Sequence, residues 1–449
     1  MKASRLVPRG GLCQTIAMHR QILSAIVLVL LTLELAAAER TLHTFKRVTL
    51  TKEFWSEGAG AADFNRDGKM DVVSGPYWYA GPDFKQRHEI YPPTKTHTNK
   101  AGDGSLKILP GWSPKVYSDN FFSFPHDFNA DGWPDVLVVG FPGKDASWFE
   151  NPGKKSGKWK KHVVFNVVDN ESPHWVDLTG DGKPELVCNH KGYFGYVTPD
   201  WKKPEAPWRF HAISLKGDWR DFTHGLGIGD VNGDGRADLL EKDGWWEQPA
   251  SLEGNPVWKK HDFTFGPGGA QMFAYDVNGD GLNDIVTSLV AHGFGLAWFE
   301  QVRKDGEISF RRHIIMNDKA EDNRYGVKFS MVHAVALADI DGDGLKDIIT
   351  GKRFWLPGYR RETEPGSSSP LYWFKLTRQG KEVDFVPYEI DATAGLGVQL
   401  EVLDLNGDKH PDVIAANKQG TFVFLNQAKN VSEEVWHKAQ PKLFKSSLP

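Results

Sequence analysis

Asp63-Phe64-Asn65-Arg66-Asp67-Gly68-Lys69-Met70-Asp71 is the stretch on which the fold turns. Side-chain oxygens stand at positions 1, 3, 5 and 9, and Gly68 at position 6 permits the sharp turn that lets them converge. Such a set suits a hard cation, because calcium accepts six to eight oxygens in flexible loops. The spacing opens like an EF-hand, but position 9 leads straight into the apolar Val72-Val73 and no position-12 glutamate follows.

The stretch is one of seven. It returns as Asp127-Asn129-Asp131-Asp135, Asp177-Asp181-Glu185 (with Thr179 at position 3), Asp230-Asn232-Asp234-Asp238 and Asp276-Asn278-Asp280-Asp284. The last two are Asp339-Asp341-Asp343-Asp347 and Asp404-Asn406-Asp408-Asp412, where Lys409 replaces the glycine. First aspartates fall 64, 50, 53, 46, 63 and 65 residues apart, a spacing that implies a repeat architecture. Each unit adds a segment such as Trp159-Lys160-Lys161-His162 and an aromatic one such as Trp148-Phe149-Glu150. Four short strands per unit, seven times, predict an all-β, seven-bladed β-propeller with calcium-binding loops over residues 41–440. The segment around Phe45 has no blade before it and is expected to complete the seventh blade as its outermost strand, closing an edge.

The expected cofactor is calcium, held by Asp63, Asn65, Asp67, Asp71 and their counterparts above. The alternative is a set of Asp/Asn/Gly turns without metal. Three carboxylates within one loop repel each other without a cation, so calcium is expected to be linked to stability. The third and seventh loops depart most from the pattern and are expected to be the weakest. Setting aside the 22 ligand-position carboxylates turns the formal charge from −4 to +18, which weakly favours an anionic or neutral partner.

Ile22 to Leu33 is the only long apolar run, preceded by Arg20 and followed by Ala36-Ala37-Ala38. It is shorter than the about 20 residues of a membrane span, and reads as a secretory signal peptide over residues 1–38. A secreted or periplasmic location is expected, without stable membrane insertion after cleavage. The mature chain then keeps only Cys188, so no internal disulfide is available.

The Asp-x-Asn-x-Asp-Gly-x-x-Asp loop with its following apolar strand resembles the FG-GAP or VCBS repeats of secreted bacterial proteins and of integrin α-chain propellers. It is also similar to the propeller portion of aldos-2-ulose dehydratase, although that enzyme's cupin portion has no room here. The resemblance implies the fold and calcium. It places the metal loops between the innermost strand and the next, on one face of the disc, and any ligand site at the opposite channel mouth.

Positions just before the loops and after the following strands supply the candidates. His174, His224 and His333 are the expected catalytic residues, with His224 and His333 each six residues before a loop's first aspartate. His126, His190, Lys242, Gln271, His292, Arg353, Gln399 and Asn417 are the expected ligand-binding set. Imidazoles there suit acid–base work or a transition metal, or merely line a wet channel. His88, His162, His211, His261 and His313 recur at one repeat position and read as structural. Two insertions, Pro92 to Asn120 with Trp112 and Lys352 to Pro370 with Arg353 and Trp355, are expected to wall a face. No nucleophile elbow, phosphate loop, zinc-protease motif or nucleotide fingerprint is present.

The leading reading is a secreted propeller that binds a carbohydrate or anionic polysaccharide at the channel mouth, either as a binder alone or with processing of the lyase or dehydratase type. The alternative is a non-enzymatic calcium-dependent adhesion or protein-interaction module. A nucleic-acid partner is not expected.

Overall fold

The computed structural model describes residues 40–100, 104–155, 157–355 and 362–445. Residues 1–38, read above as a signal peptide, and Tyr359, Arg360 and Arg361 of the second insertion lie outside the described residues. The described part is all-β and propeller-like. In the first repeat, Gly60–Ala62, Asp71–Ser74, Tyr77–Ala80 and Gln86–Glu89 form a meander in that spatial order. Five such four-stranded sheets stand separately. Repeats four and five share an eight-stranded sheet, joined where Leu226–Gly229 runs parallel to Gln271–Tyr275. In the last sheet, Arg40–Thr51 pairs outside Gly420–Val431, as the position of Phe45 predicts.

Sequence explains the strands. The second strand of each repeat is apolar and buried on both sides, as in Asp135–Val139, because neighbouring sheets cover both of its faces. The third and fourth strands pair an aromatic ring with the recurrent histidine. Trp78 stacks on His88 at 4.1 Å, Trp148 on His162 at 4.4 Å and Trp245 on His261 at 4.0 Å. His162, His261 and His313 each reach a glutamate on the adjacent strand at 2.8 Å. These cross-strand pairs bear out their structural reading.

The apolar clusters lie between successive repeats rather than within them. Phe128, Leu137 and Trp148 of repeat two pack with Leu186, Val197 and Trp208. The sequence of interfaces ends with Leu405, Ile414 and Val423 of the last repeat against Trp55, Val72 and Tyr79 of the first. The last sheet thus packs on the first.

By contact the chain divides into two units, Thr44–Gln427 with Pro441–Pro449, and Met1–His43 with Ala428–Gln440. The first carries the sheets just described, apart from Arg40–His43 and Ala428–Val431 of the last one. In the second, helix Glu433–Ala439 is capped by Ser432, whose side chain accepts from Val435 N–H. The Arg40 guanidinium lies 5.3 Å from the Trp436 ring centre there.

Candidate functional site

One register decides what converges. Glu57, Glu171, His224 and His333 each stand six residues before the first aspartate of their loop, at the entry to the first strand of four different repeats. Arg353 and Lys418 each stand six residues after a position-9 aspartate, at the exit of the second strand. In an antiparallel pair, entry and exit lie at the same end. The acidic loop joins the two strands at the other end.

Arg353 is wholly buried, with Nη2 at 3.3 Å from Glu57 and Nη1 at 3.4 Å from Glu171. The same Glu171 carboxylate lies 4.0 Å from Nδ1 of His224. Ring centres of His224, His292 and His333 are 4.4 to 5.3 Å apart. Burial, then the Arg353 charge, lowers the His224 pKa to about 4. His333 is pushed well below the usual imidazole range by burial, by Arg353 and by the other two rings. Both are neutral at pH 7.

Met331 holds the backbone of this cluster together. Its N–H donates to Gly293 O at 2.7 Å, beside His292. Its carbonyl accepts from the N–H of Arg353 at 2.8 Å and of His333 at 3.0 Å. Met331 does this at φ +62°, a left-handed conformation that costs a side-chain-bearing residue of order 1–3 kcal/mol.

Lys418 sits in an aromatic cage. Its Nζ is 4.3 Å from the Trp355 ring centre, 4.7 Å from Tyr117 and 5.7 Å from Phe54, and donates to Val116 O at 2.9 Å. Burial lowers its pKa to about 8; the Arg353 charge adds to this, while Glu57 and Glu171 partly offset it. Arg353 lies against the same Trp355 ring, at 4.7 Å.

Tyr117 also lines a neighbouring cavity of about 820 Å³. Tyr91, Trp112, Phe141 and Trp159 form its apolar wall, and Lys144, Lys158 and Lys161 stand at its edge. Trp112 belongs to the first insertion, which folds as a two-stranded ribbon, Thr96–Lys100 with Leu106–Pro110.

Of the expected site residues, His224, His292, His333 and Arg353 come together and the others lie elsewhere. His174 stands three residues before its loop rather than six, inside strand His174–Val176, with Nε2 at 3.1 Å from Leu226 O. His126 packs among Phe128, Trp175 and Trp201. His190 bonds Val167 O at 2.8 Å beside Phe165 and Phe210, and Lys242 pairs with Asp243. Gln271 and Gln399 stand five residues before their loops. One residue of offset turns a side chain to the other face of a strand. Accordingly Gln271 bonds Val335 N–H and Val398 O, and Gln399 bonds both backbone groups of Ser123. Asn417 donates to Ala394 O and Gly395 O. These contacts tie strands together. Glu57, Glu171 and Tyr117 were missed. The six-residue register that singled out His224 and His333 carried the signal for both glutamates.

The acidic loops share one hydrogen-bond frame. Asp63 accepts from the N–H of Asp67 and Gly68, and Asn65 accepts from Asp67. Asp71 ties the loop to the sheet, accepting from Phe64 and Gly81 N–H at 2.8 Å each. Asp135, Asp238, Asp284, Asp347 and Asp412 repeat this double contact. Burial pushes the position-9 carboxyls up, Asp71 to about 6 and Asp135 and Asp347 to about 8. In the third loop, Asp177, Asp181 and Glu185 each bring an oxygen within 4.8 Å of the others, as do Asp339, Asp341 and Asp347 in the sixth.

Residues 127–188, a stretch that includes the second and third loops, match the family model described as FG-GAP-like repeat. Comparison with curated protein sequences returns no match. Among solved structures, an Agrocybe aegerita lectin that recognises non-reducing terminal N-acetylglucosamine is 17% identical, with TM-score 0.42, over 84% of this chain and 87% of that one. The rhamnogalacturonan lyase YesW is 12% identical, with TM-score 0.37, over 86% and 72%. A Bacillus licheniformis rhamnogalacturonan lyase is 11% identical, with TM-score 0.36, over the same shares. All three likenesses are remote.

Proposed function

We propose that this chain, carrying the FG-GAP-like repeat on a propeller-like fold, is a secreted, calcium-stabilised, seven-bladed propeller that opens an acidic or keto carbohydrate by lyase or dehydratase chemistry beside Arg353 and Lys418. The seven-blade count takes the eight-stranded sheet as two blades joined at their first strands. Calcium is assigned to the acidic loops, which offer oxygen ligands and carry buried carboxyls that a cation would help to ionise.

The observation that carries the reading is the placement of Lys418, whose Nζ is caged by Trp355 and Tyr117 with Arg353 against the same Trp355 ring, an environment that lowers its pKa to about 8. A general base works best when its pKa lies near the working pH. The neutral amine takes the proton α to a carbonyl or carboxylate. The C–H electron pair moves into the enolate and then forms the C=C bond as the β C–O bond breaks, its electron pair staying on the leaving oxygen, which takes a proton from water and departs as an alcohol or as water. Arg353 supplies fixed positive charge near the developing enolate, held in place by Glu57 and Glu171. The cavity beyond Tyr117 offers aromatic surface for sugar rings and lysines for carboxylates, which favours an anionic polysaccharide.

The test is a turnover screen over uronate polysaccharides and keto-sugars, with calcium and with chelator, read by the ultraviolet absorbance of the new conjugated double bond. Calcium-dependent product formation supports the reading. Saturable sugar binding without any product would leave the adhesion module as the better account.

A further inference from the structure

We propose that His224, His292 and His333 form a binding site for one divalent transition metal ion of the zinc class, separate from the calcium loops. Their ligand nitrogens all lie within 4.8 Å of one another. In a tetrahedral site with zinc–nitrogen bonds of about 2.0–2.1 Å, the nitrogens stand roughly 3.3 Å apart. The difference is within reach of small side-chain rotations.

The tautomers suit a metal. Nδ1 of His333 is 2.9 Å from the carbonyl oxygen of Ala291. A carbonyl only accepts, so that nitrogen carries the proton and Nε2 carries the lone pair. Nε2 of His333 is buried and makes no hydrogen bond among the described residues, while the residue as a whole is 3% exposed. Leaving a buried acceptor unmet is costly, and a metal ion would meet it. The Ala291 carbonyl behind His333 is the kind of contact that orients a ligating histidine, and Nδ1 of His224 lies 4.0 Å from the Glu171 carboxylate, beyond hydrogen-bond distance.

Charge and chemistry separate this site from the loops. The buried carboxylates Glu57 and Glu171 lie beside the Arg353 guanidinium, whose charge disfavours protonation of His224 and His333 and so leaves them as neutral ligands. The loops offer hard oxygen ligands for calcium, whereas this cluster offers three imidazoles, which suit zinc. The His224 side chain is 19% exposed, which leaves an entry path. Three protein ligands leave a fourth position for water or a substrate oxygen. When bound, such an ion would act as a Lewis acid on a carbonyl oxygen.

The inference holds whether or not the site processes sugar, and its test uses none. The full chain is stripped with chelator, returned to saturating calcium, and titrated with zinc and, in parallel, with cobalt(II). One tight zinc site per chain is expected, with the intense visible absorption of tetrahedral cobalt. His292→Ala and His224→Ala should each weaken zinc at least about 100-fold while keeping the parent's circular dichroism and calcium content. His333→Ala is the third arm, read only if it folds. Zinc affinity in calcium that is unchanged in the folded His292→Ala and His224→Ala chains would overturn the proposal. So would cobalt showing only the weak bands of an oxygen-ligated octahedral site.

Discussion

Nζ of Lys418 lies 4.3 Å from the centre of the Trp355 indole ring, and the whole residue is 4% exposed. Holding an ammonium there costs stability. The folded-state pKa is lowered to about 8 from 10.5, so the folded chain binds this proton more weakly than the unfolded chain does. The associated stability is fully present above pH 10.5 and is lost as pH falls through about 8. Lys418→Met removes the titration and keeps the side-chain volume. Urea unfolding at pH 7 should show it more stable than the parent by roughly 1–3 kcal/mol, with the gap shrinking as pH rises from about 8 towards 10.5. A less stable variant at pH 7 would contradict the burial cost.

Arg353 tests the opposite case. Its removal leaves Glu57 and Glu171 buried without their cation, and breaking a buried pair costs about 3–5 kcal/mol. Arg353→Ala should therefore unfold at markedly lower urea in saturating calcium. Adding Glu57→Gln to that variant should recover part of the loss, because one uncompensated charge is then gone. A single variant within about 0.5 kcal/mol of the parent would mean that water reaches these groups.

In the seventh loop, Lys409 takes the place of glycine at φ +70°, where Gly68 of the first loop has φ +82°. Lys409 N–H still donates to Asp404 at 2.8 Å, as Gly68 does to Asp63. The frame is kept and the strain falls on one residue. Lys409→Gly should raise stability by about 1 kcal/mol and tighten calcium at that loop. A lower melting temperature in calcium would show that the lysine side chain contributes more than its backbone strain costs.

The sixth loop carries its own cation. Nζ of Lys375 contacts Asp341 and lies 2.9 Å from Asp343. A tethered ammonium competes with a free divalent ion for the same oxygens. Lys375→Met should bind calcium more tightly at this loop and lose more stability than the parent on chelation. Unchanged calcium affinity, measured by calorimetry, would show that the two do not share those oxygens.

The propeller-like scaffold was legible because one nine-residue pattern recurs, and its Asp, Asn and Gly dictate the turn chemistry locally. The closing strand at Arg40–Thr51 followed from counting strands per repeat. The site was legible only in part, because its residues come from strand ends far apart in sequence. His224 and His333 stood out as histidines, while Glu57 and Glu171 share their register but vanish among many acidic residues. Gln271 and Gln399 misled because one residue of offset reverses which way a side chain faces. Tyr117 and Trp112 sit on an insertion whose path no periodicity predicts.

The central claim is that Lys418 is the base of a sugar-opening site, and the pH profile of turnover tests it most directly. On a uronate polysaccharide or keto-sugar that the parent processes, kcat/KM should rise with an apparent pKa of about 8. Lys418→Met should fold, keep its calcium and lose turnover by at least about 100-fold. A folded Lys418→Met chain with the parent's rate and the parent's pH profile would contradict the account.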